Sequence, residues 1–220
     1  MERHQRLSKK VLAKLIQDLE KDLGDYEPIA PTQWPPLQVL LPPRRLPARA
    51  LYLTKGSVLI RWMTEGLLPG DSVVLCRPGL PTEAYLREAH RFLAKAKRAI
   101  FVGDLDPLDL HVYLALGHER AVHGGINDAC LQLCERNLKK GRRLESIMFR
   151  MGAAEAHHFA ILDSMVDIAA IVGRRCCDLL RAGWKLELEG ATNADHFGPG
   201  HLQSLQREFL NPPQGRRRRI

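Results

Sequence analysis

Three short apolar runs separated by helix-like segments constrain the fold of this chain more than any other feature. The runs are 50–54, 72–76 and 100–103. Between the first two, Val58, Leu59, Trp62 and Met63 recur at helical spacing, and glycines at 66 and 70 end the segment. Between the second and third, 82–97 sets Tyr85, Ala89, Phe92, Leu93 and Ala96 on one helical face. Short strands that are apolar throughout, without alternation, are those covered on both faces. The pattern predicts an α/β fold: a small parallel sheet of three or four strands with flanking helices.

The flanking sequence adds helices. Residues 7–23 carry Leu12, Leu15, Ile16 and Leu19 at helical spacing, with Ser8 as N-cap and Gly24 as stop. Residues 28–47 hold too many prolines for a helix or a central strand and read as an extended connector. After Gly117 the reading is mostly helical: 126–138, one or two helices over 144–180 broken near Gly152 or Gly173, and 202–210. A short strand at 184–188 and a polar loop at 190–200 separate the last two. The organisation expected is an N-terminal helix and Pro-rich connector (1–48), an α/β core (49–125), a helical C-terminal region packed on it (126–211) and a basic tail (212–220).

The third run ends in Gly103-Asp104-Leu105-Asp106-Pro107. In open α/β sheets the ligand crevice lies outside the carboxyl ends of the strands. Acids at i and i+2 share one side of an extended chain. They repel unless a cation sits between them, and oxygen ligands suit magnesium or manganese. The plainer alternative is that Asp104 closes a turn and Asp106 caps a helix. Asp109 follows as a helix N-cap or a third acid.

From Arg49 to Leu116 the sequence resembles the Toprim domain, in the variants found in the topoisomerase VI A subunit and the nuclease subunit of Wadjet plasmid-defence systems. Val73-Val74-Leu75-Cys76-Arg77-Pro78-Gly79-Leu80-Pro81 is similar to the family's strand and Gly-x-Pro loop. The helix beginning near Thr82, with Arg87 and Arg91, is similar to its arginine-bearing helix. Gly103-Asp104-Leu105-Asp106-Pro107 is similar to its Asp-x-Asp-Pro strand end. The resemblance implies that Asp104 and Asp106 hold Mg2+ or Mn2+ for phosphodiester chemistry. Asp109 departs from the family, which places Gly soon after its Asp-Pro, and reads as a helix cap or as a third acid ligand. The family's glutamate at the end of the first strand is missing. Thr54 stands there, followed by Lys55, and a hydroxyl does not replace a carboxylate as a base near neutral pH. Glu83 is the nearest substitute acid in sequence. Lys55 can replace part of the cation's charge by pairing with the acids, or bind phosphate together with Arg77, Arg87 and Arg91. Tyr26, the only tyrosine before the first strand, does not sit in a stretch long enough for the winged-helix domain of the topoisomerase subunit.

Net charge is +8 with a sequence pI near 9.5, a balance that favours a polyanionic partner such as nucleic acid. Arg216 to Arg219 form a basic run that reads as a solvated tail or a DNA-binding arm. Cys130 and Cys134, His118 and His123, and His157 and His158 lack the spacing of a complete metal set and read as packing or solvated residues. The alternative for His118 or His123 is an approach to Asp104, since the loop that holds them follows the acid-bearing unit. Five cysteines, an odd count, fit reduced thiols. No apolar run approaches a bilayer span, so the expectation is a cytoplasmic protein with no membrane partner, associated with nucleoid or nucleus if it holds nucleic acid. Two readings lead. One is a degenerate Toprim-like DNA-binding protein with weak or no catalysis. The other is a magnesium-dependent enzyme that cleaves DNA. A protein-interaction module, or a phosphatase of the haloacid dehalogenase type built on Asp104 and Asp106, stands behind them. Oligomeric state is open.

Overall fold

The computed structural model describes residues 38–40, 48–77, 79, 81–117 and 121–212. The expected helix over 7–23, Tyr26, most of the Pro-rich connector, His118 and the basic tail lie outside the described residues.

The α/β part runs β1 (Gln38–Leu40), β2 (Arg49–Leu53), α1 (Gly56–Thr64), β3 (Ser72–Cys76), α2 (Glu83–Leu93), β4 (Arg98–Val102), α3 (Pro107–Leu116) and β5 (Ala121–His123). The strands form one sheet in the order β1-β3-β2-β4-β5. β2 to β5 are parallel, and β1 adds an antiparallel edge on β3. Leu51 of β2 lies between Val74 of β3 and Ile100 of β4. Every residue of β3 is buried, as are Ala50 to Leu53 and Ala99 to Val102. This two-sided cover is what unbroken apolar strands require.

Two strands of this sheet were not legible. Residues 38–40 fall in the connector and pair with 74–76; an edge position tolerates proline-flanked sequence because one side of the strand needs no partner. Residues 121–123 fall in a stretch expected to be loop or helix, yet Val122 pairs with Ile100. Three residues carry no measurable periodicity, and only the waiting edge of β4 makes them a strand.

The C-terminal region follows as α4 (Asp128–Asn137), a 3-10 turn (Leu144–Ile147), β6 (Phe149–Arg150), α5 (Ala153–Met165), α6 (Ile168–Val172), α7 (Arg174–Arg181), β7 (Trp184–Lys185), α8 (Leu188–Thr192) and α9 (His201–Leu210). The single helix or pair of helices expected over 144–180 is thus five pieces, divided at both Gly152 and Gly173. Gly173 has φ +96, and an added Cβ would stand within 2.5 Å of the Asp128 carboxylate. That carboxylate accepts from the backbone N–H groups of Arg175 and Cys176, which fixes the start of α7 on α4. The strand expected at 184–188 stops at Lys185, and α8 begins inside the stretch read as strand and loop. β6 and β7 make a separate antiparallel ribbon.

α3 is buried almost all round, including Leu110, His111, Val112 and Leu114. A helix without a polar face fits only an inner layer; here it is sandwiched between the sheet, which it meets at β5, and α5 of the C-terminal region. Below the strand ends, Phe101 packs against the rings of Tyr52, Tyr113 and His123 at 5.5–5.9 Å. Phe209 of α9 packs against Trp62 of α1 at 6.1 Å. All five cysteines are free and buried. Among the described residues no helix is long and apolar enough to cross a membrane.

β3 lies on one side of β2 and β4 on the other. The chain therefore reverses direction across the sheet between β2 and β4, and their carboxyl ends form the switch point where open α/β sheets place ligands. Thr54 and Lys55 leave β2 there, and Gly103 and Asp104 leave β4.

Candidate functional site

Each polar side chain at the switch point is delivered by a specific local turn. Asp106 is the N-cap of α3: it has extended backbone, Pro107 follows at the first helical position, and its Oδ1 accepts from Asp109 N–H at 2.7 Å. The cap is therefore Asp106, not Asp109. Asp109 sits in the first turn of α3 and reaches back under the strand ends. Its Oδ2 accepts from the Thr54 hydroxyl at 2.5 Å and from the backbone N–H of Asp104 at 2.6 Å. Gly103 makes this approach possible, since a Cβ there would meet Asp109 Oδ2 at 2.7 Å and the Phe101 ring at 2.6 Å.

Asp104 is held from two sides. Lys55 Nζ lies 2.9 Å from its Oδ2, and Leu188 N–H donates to its Oδ1 at 2.8 Å. The second contact comes from the C-terminal region. Leu105 and Leu186 exchange backbone hydrogen bonds of 2.9 and 3.2 Å, which lays 186–189 across the end of β4. Glu187 and Glu189 then come within 4.0 and 3.5 Å of Lys55 Nζ. Ser57 donates to Glu189 at 2.8 Å, and Lys185 pairs with Glu155 at 2.6 Å.

Thr54, Asp104, Asp106 and Asp109 are all buried. Burial, reinforced by the charge of Asp106, pushes the Asp104 carboxyl up to about 7; Lys55 and the Leu188 N–H pull the other way and lose. Burial also raises Asp106, against its bond from Asp109 N–H. Asp109 rises well above the usual carboxylate range through burial and the charges of Asp106 and Asp104. For Lys55, burial alone would lower the pKa, but Asp104, Glu189 and Glu187 outweigh it and raise it. The site is one ammonium inside a group of carboxylates that cannot all ionise together. It holds protons near neutral pH.

The donor set does not suit a divalent ion as arranged. One oxygen of Asp104 is occupied by Lys55 and the other by a backbone N–H, and Asp109 Oδ2 already accepts two hydrogen bonds. Among the described residues no three His, Cys, Asp or Glu side chains converge to hold a metal.

The other residues expected at the site are scattered. Glu83, proposed as the substitute acid, is 86% exposed in its side chain and pairs with Arg87 at 2.7 Å; the buried positions of α2 are Ala89 and Leu93, which turn Glu83 away from the sheet. Arg91 lies exposed farther along α2. Arg77 leaves β3 at the rim but is buried, with its guanidinium 3.9 Å over the Tyr85 ring, so it is not presented to a phosphate at the surface. Lys55 is surrounded by carboxylates, a setting that repels phosphate. His123 packs among Phe101 and Tyr113 and makes no contact with the aspartates; both its ring nitrogens are buried without a hydrogen-bond partner, and burial lowers its pKa to about 4.

The sequence reading missed Lys185, Glu187, Leu188 and Glu189, which lie some eighty residues beyond Asp104 in the chain. The alternation Lys185-x-Glu187-x-Glu189 was their one visible signal. It marks a polar strand edge without naming what the edge lies against. No protein-family model matches this chain, and no curated protein sequence matches it.

Proposed function

We propose that this chain is a degenerate Toprim-like module associated with nucleic acid, with weak or no catalysis, acting in the cytoplasm or beside the chromosome. The observation that carries the loss of catalysis is the Lys55–Asp104 ion pair, 2.9 Å long at the switch point of the sheet. An internal cation there neutralises the charge that a divalent ion would otherwise balance. Thr54, donating to Asp109, supports the same reading, because a hydroxyl bound to a carboxyl holds that group in place but supplies no base. The parallel sheet and its rim of aspartates support the resemblance. The net charge of +8 supports a polyanionic partner.

The gathering of Asp104, Asp106 and Asp109 at one rim favours the second reading, a magnesium- or manganese-dependent enzyme that cuts DNA. One experiment separates the two. Supercoiled plasmid is incubated with the protein, with and without manganese, beside Asp104→Ala. No cutting, together with plasmid retention that weakens steeply with salt, supports the binding module. Manganese-dependent cutting that the variant abolishes supports the enzyme and refutes the proposal. Absence of retention at low salt refutes both and leaves a role in protein interaction.

A further inference from the structure

The cations of this protein are unevenly neutralised. Arg87 pairs with Glu83, Arg61 with Glu65, Arg175 with Glu135 and Arg181 with Asp163. Lys55 and Lys185 are tied to carboxylates at the rim. Exposed Arg91, Lys95, Lys97 and Arg207 also lack a carboxylate partner among the described residues, but the turn after α4 gathers four cations in one short stretch. Lys139, Lys140, Arg142 and Arg143 are all exposed, packed into five residues around Gly141, whose φ of +85 makes the turn tight. Among the described residues none of the four pairs with a carboxylate. The one side-chain partner in the group is His196, whose Nδ1 lies 2.6 Å from Arg142. The only acid between 139 and 150 is Glu145.

The chain then runs through the 3-10 turn directly into β6. Phe149 is 49% exposed, one of three large apolar side chains so exposed among the described residues. Next to it the Arg150 guanidinium lies over the Trp184 ring, 3.8 Å from its centre, anchored by a hydrogen bond to the Ala182 carbonyl at 2.9 Å. The ribbon is rigidly set, because β7 continues into Leu186, which is bonded to the rim of the sheet at Leu105.

Cations without a carboxylate partner among the described residues, set in a tight turn and followed by an exposed ring on a fixed ribbon, match what a single strand of nucleic acid offers. Its phosphates attract the cations and release counterions. Its unstacked bases have faces that a double helix hides, and an exposed aromatic ring stacks on them. We infer that the turn at 139–143 and the β6 edge form a binding surface for single-stranded nucleic acid, with Lys139, Lys140, Arg142 and Arg143 on the phosphates and Phe149 under a base. This rests on the nucleic-acid reading above and deepens it: it moves the contact from the rim, where Lys55 faces carboxylates, to the outer edge of the ribbon.

The test is fluorescence anisotropy with a labelled oligothymidine of about 20 nucleotides, in deoxy and ribo forms, beside a duplex of the same length. Salt is varied from about 50 to 300 mM. Lys140→Glu/Arg143→Glu should weaken single-strand binding by at least about 10-fold and flatten the dependence of log affinity on log salt by about 1.4, the share of two phosphate contacts. Phe149→Ala should weaken single-strand binding about 10-fold and leave duplex binding unchanged. Arg207→Glu, on α9, is the control for a change of charge, and circular dichroism shows that each variant is folded. Wild-type binding that both patch variants retain as well as Arg207→Glu does would overturn the inference while the nucleic-acid reading stands. Tighter binding of the duplex, indifferent to Phe149, would overturn the single-strand assignment. Failure of the wild type to bind any of the probes refutes the parent reading and the inference with it.

Discussion

Replacing Asp104 by asparagine tests the electrostatics of the rim directly. The amide keeps an acceptor for Leu188 N–H and nearly the same shape, but it cannot ionise. In the native protein burial and Asp106 raise the Asp104 carboxyl from 3.8 to about 7. A raised carboxyl binds its proton more tightly when folded. Its stabilising contribution is complete below the unfolded pKa and is lost as pH rises through the folded one. With one pKa unit worth about 1.4 kcal/mol, the full loss is about 4 kcal/mol, and about 3 kcal/mol of it falls between about pH 5 and 8. Relief of Asp109, whose pKa the Asp104 charge helps to raise, adds in the same direction. The assay is urea unfolding of wild type and Asp104→Asn across that range. The quantity read is the difference in ΔG, so that groups common to both proteins cancel. The variant should gain on the wild type by about 3 kcal/mol from about pH 5 to 8, or roughly 6–12 °C in Tm for a chain of this size. A difference that is flat with pH, or that moves the opposite way, would refute the claim that burial outweighs Lys55 at Asp104.

Lys55→Met removes the cation from the same pair. Protonation of Asp104 limits the damage near neutral pH to about 1–2 kcal/mol, below the full cost of an orphaned buried charge, but its pKa rises further. The deficit against wild type in urea melts should therefore grow between about pH 7 and 9. His123 titrates with the opposite sign: burial lowers it to about 4, so its neutral form supports the fold above about pH 6.5 and that support is lost as the solution is acidified toward about pH 4, some 3 kcal/mol in all. In His123→Leu that component of acid sensitivity should be gone, as read from the pH dependence of the difference from wild type. Gly125→Ala places a Cβ 2.4 Å from the Gly103 carbonyl oxygen and 2.7 Å from its nitrogen. Backbone cannot yield as a side chain can, so the variant should lose about 2–3 kcal/mol or more and lower the thermal midpoint. A variant as stable as wild type would show that 103 and 125 are not in contact.

The strands β2, β3 and β4 and their parallel arrangement were readable from local pattern, because a strand covered on both faces must be apolar throughout and the helices between show their own period. The delivery of Asp104 and Asp106 to the end of β4 was readable for the same reason. The cap was readable only as a choice between Asp106 and Asp109, and the structure settles it on Asp106, with Pro107 at the first helical position. The sequence also offered Lys55 as a partner for the acids, and the 2.9 Å pair with Asp104 is that arrangement.

Tertiary structure alone decided the rest. The edges β1 and β5 are strands because a neighbour offers them unpaired backbone groups, and three-residue segments hold no signal of that offer. Glu83 and Asp109 carry the same functional group within thirty residues, yet one faces water beside Arg87 and the other is buried against Thr54, because the helix phase that buries Ala89 and Leu93 turns Glu83 outward. The segment 186–189 closes over Asp104 from the far end of the chain through two backbone hydrogen bonds at Leu105. Backbone pairing carries no side-chain signature. Local pattern thus determined which residues could form strands, helices and caps in this protein. Long-range packing decided which carboxylates lose their water, and burial, the largest cause of their raised pKa values, is a property of the folded surroundings and of no single residue.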